Sequence, residues 1–424
     1  MIGIFKSELF KRILNVGFFQ ALSQVVNAAT GFLIIRALDK VDYAAYALFF
    51  SVLSMIVMVS SIGIHMGMSV IGGRVWEDRQ QLGVLVRTLE KLRMVLFKWL
   101  LVPFVAYTIW LFYKNEINPV FAWASLAVVL AIVWLQIHAN LKFDVAKLLN
   151  RTDIVNRYDL VPAIVRFVAV AGILFFWPGN LFPILLVTFL SYLIQYWMVN
   201  RQARELYEPA AAASPEYRKE VFSFIRSDAL NIIYFVFQGQ IVIVLLSVFL
   251  NVTSISNVTA LGRIMVIFAI LNATLAAVLT PVFAKEHDLG RLWRKFFQSS
   301  LAYIGLLAAM CFVAYFFPGA LLWALGEKYA HLRAELFVMV LGSCFSQYVV
   351  FMYGLVAAKG WVRYHWLYTP LTILNQVILF FVLDLRTEMG IIWFGALGHF
   401  GFFAINCISL TLGFTGRRVK PSHA

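Results

Sequence analysis

Three cations, Lys98, Arg166 and Arg263, sit inside long apolar runs of the sequence. A charge held among hydrocarbon neighbours is costly, so such a residue is expected to face a cavity, a partner or a ligand. Arg263 lies about nine residues from one end of its run, roughly 13 Å along a helix and near the middle of an apolar layer about 30 Å thick. Thr259 and Thr274 share its helical face. Arg166 is about five residues into its run, where snorkelling to the surface and lining a cavity are equally good readings. Lys98 is nearer still to the edge, and snorkelling is the expectation there.

Polar stripes accompany these cations. Gln20, Ser23, Gln24, Asn27 and Thr30 recur at helical spacing in the first run, as do Ser227, Asp228, Asn231, Tyr234 and Gln238 in the seventh. Thr188, Ser191, Tyr192 and Gln195 form a third stripe, and Ser343, Ser346 and Gln347 a fourth. Such stripes either hold helices together or line a water-filled space. The first and seventh runs favour the cavity reading. Carboxylates are scarce in the runs, with Asp228 and Asp384 at run ends. Cations and amides without acids suit an anionic, hydroxyl-rich ligand rather than an organic cation. The candidate binding set is therefore Arg263, Arg166, Gln20, Gln24, Asn27, Asn231, Tyr234 and Gln238.

No catalytic set accompanies it. His65, His138 and His399 lie in apolar runs, where a hydrogen-bonded packing role outweighs a proton relay. Cys311, Cys344 and Cys407 are spaced for neither metal nor disulfide and read as small buried hydrophobes. There is no phosphate-binding loop, dinucleotide fingerprint or nucleophile elbow. A non-enzymatic protein without cofactor or metal is expected.

The elements that must position these residues follow from composition. The chain has 424 residues, of which 62% are hydrophobic and 13% charged. Ordinary soluble domains carry about 25% charged residues, so the solvent for most of this surface is lipid. Twelve candidate spanning helices lie near 13–35, 43–71, 94–113, 119–139, 161–177, 181–199, 229–250, 255–283, 299–317, 334–357, 366–384 and 390–413. The run 43–71 is long for one span and is expected to project from the bilayer or tilt. The basic start of the sequence runs into a polar-studded apolar stretch, which reads as a retained first helix rather than a cleaved signal.

With the first end inside, 26 of the 35 Lys and Arg residues fall in inner segments and 6 in outer ones. That bias predicts a multi-pass protein of the cytoplasmic (inner) membrane with both termini inside. It also spreads the formal charge of +14 over separate loops, which argues against nucleic acid as a partner. The linker near 200–226, "RQARELYEPAAAASPEYRKEVFSFIR", divides the chain into two six-helix lobes, 1–205 and 206–424. Six is even, so the lobes are same-orientation (parallel) repeats around a central cavity. The expected fold class is all-α and polytopic.

The stretch "IIRALDKVDYAAYAL" (Ile34 to Leu48) resembles the first outer loop of the polysaccharide/O-antigen flippases, lipid-linked oligosaccharide exporters within the multidrug/oligosaccharidyl-lipid/polysaccharide (MOP) exporter superfamily. Arg36, Leu38, Tyr43 and Tyr46 match that family's pattern, and Asp39 and Ala44 replace its two glycines. Asn257 to Lys285 is similar to the family's eighth helix, with Arg263 in its outer half and Pro281 near its inner end. In Ser227 to Leu246 many members carry an Asp where Gln240 stands.

The resemblance implies alternating rocking of two lobes that turns an undecaprenyl-pyrophosphate-linked oligosaccharide, a repeat unit of O-antigen or another surface polysaccharide, from one leaflet to the other. Arginines would meet pyrophosphate; amides and hydroxyls would meet sugar. It implies coupling to H+ or Na+, and polysaccharide polymerase and chain-length proteins as partners beside the lipid bilayer. The alternatives are a MATE-like ion-coupled antiporter of drugs or organic cations, which calls for buried carboxylates, and a membrane glycan polymerase or ligase, which calls for a large outer loop.

Overall fold

The computed structural model describes residues 8–415 except 62, 178, 210, 211, 287 and 363; the side chains of 8–17, 152, 153, 203, 204, 227–232, 269, 270, 273, 274, 276–278, 281 and 365 also lie outside the description. Among the described residues the chain is helical and contains no strand. Nine helices among the described residues are long and apolar enough to cross a membrane, and Ile233–Phe249, Val252–Phe268 and Tyr368–Val382 are shorter apolar helices. Each overlaps one of the twelve predicted stretches, with different ends. The protein is a multi-pass membrane protein.

Several helices are longer than their apolar cores. α1 is Glu8–Ala37, α2 Lys40–Val59, α3 Ile64–Val70 and α4 Gly72–Val75. α5 (Arg79–Lys114), α6 (Pro119–Leu148), α7 (Thr152–Phe176) and α8 (Leu181–Leu206) follow. α5 has 36 residues, about 54 Å at 1.5 Å per residue, so its basic first third must project beyond the hydrocarbon. Asp39, Asp78 and Asn118 cap α2, α5 and α6 through their side-chain oxygens. The long run 43–71 is not one tilted span. It breaks after α2 at Ser60 to Gly63, where Gly63 takes φ +68°, a left-handed conformation open to glycine.

The chain divides into two compact units, Met1–Ser247 and Val248–Ala424. In the first, α1 packs along α7, α6, α7 and α8 pack on one another, and α2 and α5 lie against α6. α9 (Pro215–Phe249) completes it, apart from its last two residues.

The second unit holds α10 (Val252–Ile264), α11 (Val266–Lys285), α12 (Leu289–Phe316), α13 (Pro318–Leu325), α14 (Arg333–Ala358), α15 (Tyr368–Val382), α16 (Glu388–Leu397) and α17 (Phe400–Phe414). α14 is its axle, packed on α11, α12, α16 and α17. Polar pins cross it. Asn257 donates to Glu388 at 2.9 Å, the hydroxyls of Ser256 and Tyr329 share a hydrogen bond of 2.8 Å, and Asn272 joins Gln347 and Tyr303. At its basic side the Lys295 ammonium, 2.5 Å away, holds the Glu286 carboxyl below the usual carboxylate range.

Candidate functional site

Arg166 lies deeper than its sequence position suggests. α7 starts at Thr152 rather than near 161 and carries the candidate span Ile154–Phe176, so Arg166, ten residues or about 15 Å before Phe176, lies near the middle of that span. It does not snorkel. Its Nη2 donates to the Tyr46 hydroxyl at 2.8 Å, and the guanidinium lies 5.0 Å from the centre of the Phe50 ring. A cation over an aromatic face is stabilised without being neutralised. The Arg166 Nε is buried and has no hydrogen-bond partner in the protein. Buried donors are rarely left so, and this one is available to an acceptor on a ligand. Tyr46 is thus positioned on α2 by the same stretch that shows the family-like loop pattern.

The first-helix stripe splits into two faces. Ser23 and Thr30 are buried, and the Thr30 hydroxyl donates back to the Val26 carbonyl at 2.9 Å. Gln20, Gln24 and Asn27 are exposed, so the single face read from the spacing is corrected to two adjacent ones. Exposed amides at membrane depth are better satisfied by water or cargo than by lipid. On α9, Tyr234 is buried and Gln238 half-buried. Asn231, with Ser227 and Asp228, falls outside the described side chains. Gln240 is buried and tied to α2: the Ser51 hydroxyl donates to its Oε1, and its Nε2 reaches the Ser51 carbonyl at 3.4 Å.

Arg263 stands in the second unit, half-buried in the last turn of α10. It is eleven residues past Val252, about 17 Å from that end. The predicted eighth helix is interrupted at the next turn, where Met265 separates α10 from α11 and its N–H bonds the Gly262 carbonyl at 3.2 Å. Arg263 therefore sits at the C-terminal end of a short helix, where the helix dipole favours a cation.

The stripe Thr188, Ser191 and Gln195 is buried and serves packing. Gln195 accepts from Gln136 at 3.0 Å and donates to Asp159 at 3.3 Å, which stitches α8 to α6 and α7. The sequence reading missed the network to which this stitch belongs, at the basic ends of the first unit's helices. Arg93, 1% exposed, donates to the Gln136 and Ile137 carbonyls at 3.3 and 3.2 Å and to the Ser61 hydroxyl at 2.8 Å, beside the break after α2. Glu90 is flanked by His138 at 3.5 Å, Lys142 at 3.8 Å and Arg87 at 3.8 Å, and Lys142 also bonds Asn200. Asp144 accepts from His65 at 2.7 Å. Tyr158 stacks on Phe143 at 3.9 Å and donates to Asn140 at 2.8 Å.

These acids lie on helical extensions beyond the apolar runs of the sequence, so the scarcity of carboxylates read for the runs themselves is unaffected. Gln136, Asn140 and Asp144 recur every fourth residue, a signal that was legible once α6 is run past 139. Each of the three carboxylates already has a cationic or amide partner. Cys311 and Cys344 carry thiols 3.5 Å apart, and all three cysteines are free.

No known family profile matches the chain, and no curated protein matches it either. Solved structures do. An inward-facing multidrug resistance MATE family transporter of the MOP superfamily aligns over 93% of this chain and 96% of its own, with a TM-score of 0.72 and 13% identity. An outward-facing multidrug resistance MATE family transporter of that superfamily covers 96% and 94% at a TM-score of 0.59 and 14% identity. The eukaryotic MATE transporter AtDTX14 covers 95% of each chain at 0.58 and 10% identity. Nearly the whole length is shared on both sides at identities that carry the fold alone. The chain has the twelve-helix fold of the MATE transporters.

Proposed function

We propose that the protein is an exporter of the MOP type that moves an amphipathic, anionic cargo across the membrane by alternating access of two helical lobes. The observation that carries the cargo class is Arg166, held near the middle of its span by Tyr46 and Phe50 with one buried N–H left unpartnered. The exposed amides of Gln20, Gln24 and Asn27 supply hydrogen bonds of the kind a sugar accepts and donates. Arg263, Asn231, Tyr234 and Gln238 remain in the proposed cargo path. The cargo that best fits both demands is an oligosaccharide on undecaprenyl pyrophosphate, a surface-polysaccharide repeat unit such as that of O-antigen.

A second reading has its own support. The solved structures of this fold are named as multidrug resistance transporters, which favours a MATE-like antiporter of drugs or organic cations. One experiment separates the two. The gene is expressed in bacteria lacking their own O-antigen flippase and, separately, in a strain lacking drug exporters. Restored surface polysaccharide with unchanged dye efflux supports the flippase. The reverse pattern supports the antiporter.

The protein is placed in the inner membrane with its basic helix ends inside, and its cargo loading is coupled to H+ or Na+. An Ala212→Cys variant, exposed in the linker, is then expected to be shielded from an impermeant maleimide in intact cells, whereas Asp39→Cys reacts. Labelling of Ala212→Cys without permeabilisation contradicts that orientation.

A further inference from the structure

The exposed face of α8 reads like a section through a bilayer. Leu186, Leu190, Leu193 and Trp197 are exposed and recur at helical spacing, and Arg201 follows one turn later on the same face. Apolar side chains so arranged on a spanning helix meet lipid chains. Arg201 is twenty residues past Leu181, about 30 Å along the helix, or one hydrocarbon thickness from that end. Trp197 lies about 6 Å inside that level.

α6 packs along α8 and repeats the order. Trp134, also exposed, is fifteen residues past Pro119, about 22 Å along the helix, and Lys142 is twenty-three past it, about 35 Å. Aromatic rings therefore flank the groove between the two helices just inside the edge of the hydrocarbon, and cations stand at its mouth. The two sides are joined. The ring centres of Trp134 and Tyr196 are 5.8 Å apart, the Lys142 ammonium is 5.8 Å from the Tyr196 ring centre, and Lys142 bonds Asn200. The Arg201 guanidinium lies 5.6 Å from the centre of the Trp197 ring.

The charges at the mouth do not cancel. Glu90, 3.8 Å away, offsets Lys142. Glu205, the next acid along α8, is taken by Arg151 at 3.8 Å. Arg201 makes no ion pair and no hydrogen bond among the described residues, and its contact is with the Trp197 ring. The Tyr196 hydroxyl has no hydrogen-bond partner among them either. A planar guanidinium with a phenol O–H beside it suits phosphate oxygens, and a single uncompensated cation matches the one charge of a phosphodiester.

We infer that the groove between α6 and α8 binds an anionic phospholipid of the leaflet on the basic side, with Arg201 and Tyr196 on its phosphate and Trp134 and Trp197 against the upper part of its acyl chains. Basic residues at that membrane face with aromatic rings one turn deeper are a combination that anionic headgroups and their chains satisfy together. A pyrophosphate, with its greater charge, fits a single unpaired arginine less well. The inference does not depend on what the protein exports.

The test titrates full-length protein in detergent with palmitoyl-oleoyl phosphatidylglycerol and counts bound lipid by native mass spectrometry. Palmitoyl-oleoyl phosphatidylcholine supplies the same chains without net charge, and inorganic phosphate the charge without chains. The expected result is a first phosphatidylglycerol bound about tenfold more tightly than phosphatidylcholine, with that preference lost when Arg201→Gln and Tyr196→Phe are combined. Trp197→Leu, which keeps both donors, is expected to weaken the first binding event about threefold. Arg294→Gln, at an exposed arginine beside Trp293 on α12, is expected to keep the preference. Equal binding of the two lipids, an unchanged preference in the double variant or an equal loss in Arg294→Gln would overturn the inference. So would displacement of phosphatidylglycerol by an equal concentration of inorganic phosphate. Displacement by undecaprenyl phosphate at a lower concentration than by phosphatidylglycerol itself would also overturn it, and would assign the groove to a cargo lipid.

Discussion

Replacing Arg166 by alanine is expected to lower transport by about tenfold to a hundredfold while the protein remains at normal abundance. A hydrogen bond to a charged group contributes about 1.5–3 kcal/mol, and each 1.4 kcal/mol is a factor of ten. In the resting protein Arg166 makes one hydrogen bond, to Tyr46, and lies over the Phe50 ring. Its Nε has no protein partner. Removing the side chain therefore costs the fold little, because the Tyr46 hydroxyl loses one donor but keeps its own O–H for donation, and a desolvated cation is relieved. The loss falls on whatever anion the guanidinium would meet. Arg166→Lys is expected to recover only part of the activity, since an ammonium keeps the charge without the planar fork. Initial transport rate, normalised to membrane abundance, measures this. An Arg166→Ala protein with wild-type rate would remove Arg166 from the cargo path.

Arg93→Met is expected to do the opposite, acting on stability and not on the cargo. Arg93 bridges α6 and the break after α2 through three hydrogen bonds and is almost fully buried. Methionine matches the stem but leaves the Ser61 hydroxyl and the end of α2 unsupported and opens space where the guanidinium was. Loss of the bridge is expected to cost about 3 kcal/mol, offset in part by the smaller desolvation of a neutral side chain. Lower yield and a lower unfolding midpoint in detergent are the readouts, with the residual folded protein transporting at a normal rate per molecule. An unchanged midpoint would show that the bridge is dispensable.

The spans were legible because apolar runs of about twenty residues have few other uses. Their ends were not. Residues 79–93, 140–148 and 152–160 are polar enough to read as loops, yet the structure continues α5, α6 and α7 through them. Once outside hydrocarbon a helix needs no apolar run to persist, so hydropathy alone stops too early. That early stop hid Glu90, Asp144 and Asp159. The stripe on α1 was legible as polar but not as two faces, because Ser23 and Gln24 differ by about 100° around the helix and only packing on α7 separates them. The break at Ser60 to Gly63 needed Ile225, far along the chain, to explain its glycine. The loop pattern at Arg36 to Tyr46 resembles that of exporters with a twelve-helix plan, and the chain shares the twelve-helix fold of solved MATE structures over nearly its full length.

The central claim is that an anionic lipid-linked cargo crosses by way of Arg166. It is tested most directly in proteoliposomes that carry fluorescent undecaprenyl-pyrophosphate oligosaccharide in one leaflet. The predicted result is transfer to the other leaflet that requires the protein and is lost in Arg166→Ala. Transfer no faster than in protein-free vesicles, together with uptake of an organic-cation dye by the same protein, would contradict the claim and leave the antiporter reading standing.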